Sequence, residues 1–157
     1  RASRLTTAIP DRVEVAAVED GRGGLGGSVA LAWSHDGLAR VVAMVTPSLD
    51  EAWRLAARAE RVLCGITLRN EQPAKDLRAK PCGTKETSTA LPELRRLLAV
   101  DGLRWDGDDL DAQMRAAKVH EDANGSLRVG SGTPTGALRC AAWAVQSVRI
   151  TSEPVLV

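Results

Sequence analysis

Glu19 and Asp20 close the run VEVAAVED, and Glu71 stands in RNEQPA just past a second apolar run, RVLCGITL. Carboxylates at strand ends are suited to holding a hard divalent cation such as Mg²⁺ or Mn²⁺, which prefers oxygen ligands and keeps several waters. Two such ions activate a water and stabilise the leaving oxygen of a phosphodiester. That chemistry needs acids from several elements. Asp20, together with Glu19, is the expected first corner, and Glu71 is the natural second ligand. Side chains alternate along a strand, so only one of Glu19 and Asp20 points with the core-facing set. Against this stands a plainer reading, that the acids form a solvated turn.

The other motifs carry less. Gly21-Arg22-Gly23-Gly24-Leu25-Gly26 matches GxGxxG. A dinucleotide site needs a helix after that motif, with its N-terminus on the pyrophosphate. Here a strand-like run follows and two acids precede, so a loop between strands is the better reading. Asp106, Asp108, Asp109 and Asp111 cluster in RWDGDDLD, where Asp106-Gly107 reads as a turn and the others as helix-capping acids. His35 and His120 are isolated, which leaves no Ser/His/Asp constellation. Lys75, Arg78, Lys80 and Lys85 form a basic stretch able to touch phosphates, with a solvated loop as the default.

The elements that must position these residues follow from patterning. The 157 residues suit one domain with a core, and 44% are hydrophobic. Phe and Tyr are absent and Trp occurs four times, so the core is Ala, Val and Leu, and a stacking platform for single strands is disfavoured. A net charge of +1 gives no global case for nucleic acid. Cys64, Cys82 and Cys140 are unclustered, which argues for reduced thiols in a cytoplasmic setting and against a zinc knuckle. No run is long and apolar enough for a membrane span. The chain opens on Arg1, as expected of a processed chain or a piece of a longer one.

Residues 1–11 read as a lead-in, 12–150 as the domain and 151–157 as a tail. Arg12–Val18, Ser28–Trp33 and Leu38–Val45 read as strands, the last two joined by the hairpin signal Asp36-Gly37. A helix follows, with Ser48 and Glu51 as capping box. Arg61–Leu68 reads as a central strand, and residues 69–87 as irregular. Helices are expected at Ser88–Val100, with Pro92 in the first turn, and from Asp108 or Asp109 to Lys118. Asn124-Gly125 turns between two short strands. A final apolar helix, capped by Thr133 with Pro134 at its first position, runs to about Val148. The order is that of an α/β domain with a mixed sheet: an antiparallel three-strand meander, a parallel central strand and flanking helices.

GLRWDGDDLDAQMRAAKV, GSLRV and TGALRCAAWAV, preceded in order by VAAVEDG, EAWRLAARA, VLCGITL and Pro73-Ala74, resemble the nuclease domain of tailed-phage terminase large subunits over nearly all of residues 12–148. The resemblance implies a ribonuclease H-like fold and metal-dependent cleavage of double-stranded DNA during genome packaging. It also implies an ATPase motor domain in the parent chain, with portal or small terminase subunits as partners. Departures accompany it. The usual acid after the central strand falls near Arg69, leaving Glu71 as a shifted substitute. The usual acid on the final helix is replaced by Gly136, with no carboxylate between Thr133 and Val148. Asp108 is then the remaining candidate for a third metal ligand, and Trp105 replaces a customary His. Two functions follow: a terminase-type endonuclease, or a degenerate ribonuclease H-like module that binds DNA or a packaging or virion partner without cutting. An unrelated α/β interaction domain is the third.

Overall fold

A computed structural model describes residues 8–21, 25–116, 119–121, 127–129 and 135–152. Three strands, β1 (Val13–Asp20), β2 (Gly27–His35) and β3 (Leu38–Thr46), form the antiparallel meander expected from the sequence. The β2–β3 turn is made by Asp36 and Gly37 at φ 52° and 77°, the left-handed pair that a tight hairpin demands. The helix α1 (Leu49–Ala56) begins where Ser48 accepts the Glu51 N–H through Oγ at 3.2 Å. It leads into β4 (Ala59–Gly65), which pairs parallel to β1.

Beyond β4 the chain differs from the expectation. The strand stops at Gly65, and Ile66–Leu68 coil into a 3-10 turn that buries Leu68. The stretch read as irregular contains α2 (Gln72–Asp76) and β5 (Lys80–Cys82), the latter parallel to β4. The next helix, α3 (Thr84–Ala99), starts four residues earlier than expected, so Pro92 lies inside it. Glu86 fixes that start by accepting the Gly83 N–H at 2.9 Å. A further strand, β6 (Leu103–Asp106), pairs parallel to β3. The helix α4 (Asp108–Ala116), a hairpin of β7 (Val119–Glu121) and β8 (Leu127–Val129), and α5 (Gly136–Ser152) complete the chain. The expected turn at Asn124-Gly125 and the cap at Thr133-Pro134 lie outside the described residues.

The main sheet has the order β5-β4-β1-β2-β3-β6. Both faces of its centre are buried, which is why β1 and β2 are apolar at nearly every position. Val15, Ala17, Ala30, Val41 and Leu63 face the layer of α3, α4 and α5, where Leu94, Leu110, Trp143 and Val145 are buried. Ala16, Val18, Leu31, Val62 and Cys64 face α1, with Trp53 and Leu68. With no Phe or Tyr, all four tryptophans, Trp33, Trp53, Trp105 and Trp143, are buried among the Ala, Val and Leu of the core.

The helices α3 and α5 are clamped at their surface. Glu93 accepts from Arg96 Nε at 3.0 Å and from Arg149 Nε at 2.9 Å. The Arg96 hydrogen bond, helped by Arg149, holds the Glu93 carboxyl below its ordinary value of 4.5. A carboxyl held low in the folded state stabilises the fold above its ordinary value, and that contribution disappears as pH falls through the lowered one. Glu93→Gln is expected to lower stability by roughly 0.5–1 kcal/mol at neutral pH, with the difference from wild type closing on acidification. Urea melts across that pH range check this.

Candidate functional site

Glu19 is the acid that the fold turns inward. It follows Val15 and Ala17 on the α5-facing side of β1, and it is only 9% exposed. Ser28, its partner on β2, lies on the same face. Asp20 takes the opposite face, paired with Gly27, against which Leu49 and Ala52 of α1 pack. The two adjacent acids are thus separated by the sheet.

The surroundings of Glu19 are built from two glycines and an arginine. Val18 pairs with Cys64, so the next residue of β4, Gly65, lies beside Glu19. A Cβ on Gly65 would sit 2.1 Å from Glu19 Oε1, so the carboxylate occupies the space that a side chain there would take. Gly136 opens α5 against the same pair: a Cβ there would lie 2.5 Å from Ser28 Oγ and 3.8 Å from Glu19 Cγ. One turn along α5, Arg139 donates from Nη2 to Glu19 Oε2 at 3.2 Å and from Nη1 to Thr135 Oγ1 at 2.8 Å. The Asp20 N–H donates to Glu19 Oε1 at 2.9 Å. Each carboxylate oxygen therefore has a donor, and the nearby N-terminus of α5 adds favourable potential.

That helix start is held from α4. Gln113, itself buried, accepts the Leu138 N–H through Oε1 at 3.0 Å. Cys140 lies one residue beyond Arg139, its Sγ 3.8 Å from the Ser28 carbonyl. The arginine is thereby set in register with β1 and β2 by groups on both sides of the helix.

The other sequence candidates stand on other elements. Glu71 is an exposed N-cap of α2 that makes no side-chain capping bond. Burial pushes the Cys64 thiol up to about 11, with further contributions from the charges of Glu19 and then Glu71. Both acids thus act on the C-terminal end of β4. Asp108 is exposed at the start of α4, beyond β3. Its neighbours in the acidic cluster serve structure: Asp109 Oδ2 accepts the Val45 N–H at 2.8 Å, and Asp111 pairs with Arg115 at 3.0 Å. Trp105 is buried in β6.

A divalent cation needs several oxygens converging on one point. Among the described residues, no group of three His, Cys, Asp or Glu is arranged to hold one. Around Glu19, two neighbouring positions are glycines without donors, and a guanidinium already neutralises the carboxylate. Around Glu19 itself, the described groups thus offer one carboxylate, already paired with a guanidinium. Sequence reading missed Gly65 and Arg139. The available signal was Arg139 itself, a cation within the apolar first half of α5 and three residues after Gly136.

No protein-family model and no curated protein matches the chain. Solved structures do. The HK97 bacteriophage large terminase aligns with a TM-score of 0.62 at 12% identity, over 91% of this chain and 41% of that one. The large terminase nuclease from thermophilic phage G20c aligns with a TM-score of 0.55 at 13% identity, over 88% of this chain and 83% of that one. The chain has the ribonuclease H-like fold of phage terminase large-subunit nuclease domains, and it spans less than half the length of the HK97 protein. No helix among the described residues is long and apolar enough to cross a membrane.

Proposed function

We propose that the chain is a terminase-type module that engages double-stranded DNA in a packaging assembly without cutting it. The observation carrying this reading is the Glu19–Arg139 ion pair, set over Gly65 and beside Gly136. A cleaving site needs the carboxylate of β1 free for metal and further acids next to it. Here the carboxylate is consumed by an internal cation. Gly65 and Gly136, two positions whose side chains would point toward Glu19 and Ser28, carry no acid. The fold likeness to two terminases supports the packaging context, in which an ATPase motor domain, portal or small terminase subunits would be the protein partners.

The test is a supercoiled plasmid incubated with the protein and Mg²⁺ or Mn²⁺, read on one gel for retardation and for nicking. Retarded, uncut plasmid is the expected result. Metal-dependent nicking lost in Glu19→Gln or Asp20→Ala would establish a working nuclease, with Glu71 and Asp108 as the acids to examine next. Intact but unretarded plasmid would remove DNA as the ligand and leave a packaging protein in its place.

A further inference from the structure

The outer edge of the sheet carries a second feature, away from Glu19. The short strand β5 covers only Leu63, Cys64 and Gly65 of β4. The first half of β4 has no strand neighbour on that side among the described residues, and a groove of about 470 Å³ opens between this edge, the α2–β5 connection and α5. That volume suits a small ligand. The wall toward the core is apolar, formed by Leu63, Leu77 and Trp143. The indole N–H of Trp143 is already used by Thr87 Oγ1 at 3.0 Å, so the ring presents its apolar body.

The charged lining is unbalanced. Arg61, Arg78 and Lys80 supply three cations against Glu60 and Glu86. The Gly83 N–H that Glu86 accepts favours its charged form, so the lining carries one net positive charge. Arg61 stands on the α5-facing side of β4, two residues before Leu63, whereas Glu60 takes the opposite face. The Arg61 Nη2 atom is sealed from solvent and has no hydrogen-bond acceptor among the described residues. A buried guanidinium nitrogen without an acceptor is costly. Arg61 also lines the groove, so a side-chain rotation that brings this nitrogen to an anion there would satisfy it, and a planar guanidinium matches a phosphate better than a carboxamide or a hydroxyl does. Arg78 reaches its place with a left-handed backbone, φ 53°, a conformation that an arginine adopts at some cost.

We propose that this groove binds a phosphate ligand of mononucleotide size, the phosphate held by Arg61 with Arg78 and Lys80, and the flat apolar portion lying along Leu77 and Trp143. The site is separate from Glu19 and does not depend on whether the chain cuts DNA. The shared chemistry is a phosphate oxyanion, and two sources could present it: a free nucleotide or a DNA backbone.

Calorimetric titration of the 157-residue chain with a deoxynucleoside monophosphate, the matching nucleoside, inorganic phosphate and a short duplex separates these sources. The monophosphate is expected to bind at least about tenfold more tightly than the nucleoside, the scale of one charge-assisted contact. Arg61→Met should weaken monophosphate binding by about tenfold or more while leaving the melting temperature unchanged or raised, because it removes an unpaired buried donor. Lys80→Ala, an exposed change that leaves the core intact, should weaken the same ligand. A lower melting temperature for Arg61→Met with unchanged monophosphate binding would assign the arginine to structure and overturn the proposal. Arg61-dependent binding of the duplex alone would overturn the mononucleotide assignment in favour of a backbone phosphate.

Discussion

Arg139→Met is expected to destabilise the fold by about 2–3 kcal/mol, a fall in melting temperature of roughly 5–10 °C for a chain of this size. Removing one member of a buried pair typically costs about 3–5 kcal/mol because the remaining charge is stranded. The lower figure applies because the Arg139 side chain is 33% exposed while that of Glu19 is only 11% exposed. Methionine keeps much of the stem's packing, so the loss reports on the charge. The double substitution Glu19→Gln with Arg139→Met should recover most of the loss, since a neutral amide no longer needs a cation and can still accept the Asp20 N–H. Thermal melts of wild type, both single variants and the double variant form the cycle. A double variant no more stable than Arg139→Met would mean that the two residues are not coupled.

Gly65→Ala carries the second large effect, about 2 kcal/mol of lost stability. The backbone at Gly65, φ −57° and ψ 145°, is open to any residue, so the cost comes from contact and not from torsion. The new methyl would fall 2.1 Å from Glu19 Oε1. A flexible acid would swing away at little expense, but this one is buried and tied at both oxygens. Moving it breaks the Arg139 bond or the Asp20 bond. Glu19→Ala should therefore suppress the effect, and Gly65→Ala placed on that background should cost about 1 kcal/mol less than on wild type. Equal costs on the two backgrounds, measured by urea melts, would place the Glu19 carboxylate elsewhere.

Gly65 and Arg139 were hidden in the sequence for a physical reason. The meander and α1 were legible because their signals are local: alternating valines, Asp36-Gly37 at φ values that few residues accept, and Ser48 as a cap. The run RVLCGITL reads as one strand because every residue in Leu63–Leu68 except Gly65 is compatible with burial. The chain instead leaves the sheet at Gly65, and Ile66–Leu68 coil with Leu68 buried on the α1 side. That moves the end of the strand away from Glu71 and puts Gly65 beside Glu19. Short elements such as β5 and β6 have too few residues to set a period, and they form because a longer neighbour offers them a parallel edge.

The site itself depends on pairings remote in sequence. Arg139 meets Glu19 across 120 residues, through the seating of α5 on β1 and β2. No local pattern encodes such a contact. Gly136 was recognisable as a departure only against the terminase resemblance, and the structure brings it within reach of Glu19. The apolar pattern located the helix, the resemblance marked Gly136 on it, and the structure supplied the cation that lies one turn along it.

The central claim is that Arg139 occupies, in charge, the role that a divalent cation would otherwise fill beside Glu19. The most direct measurement is a Mn²⁺ titration followed by electron paramagnetic resonance, with wild type and Glu19→Gln in parallel. The account predicts a free Mn²⁺ signal that rises in proportion to added metal and is the same for both proteins. A saturable site in wild type that disappears in Glu19→Gln would contradict it.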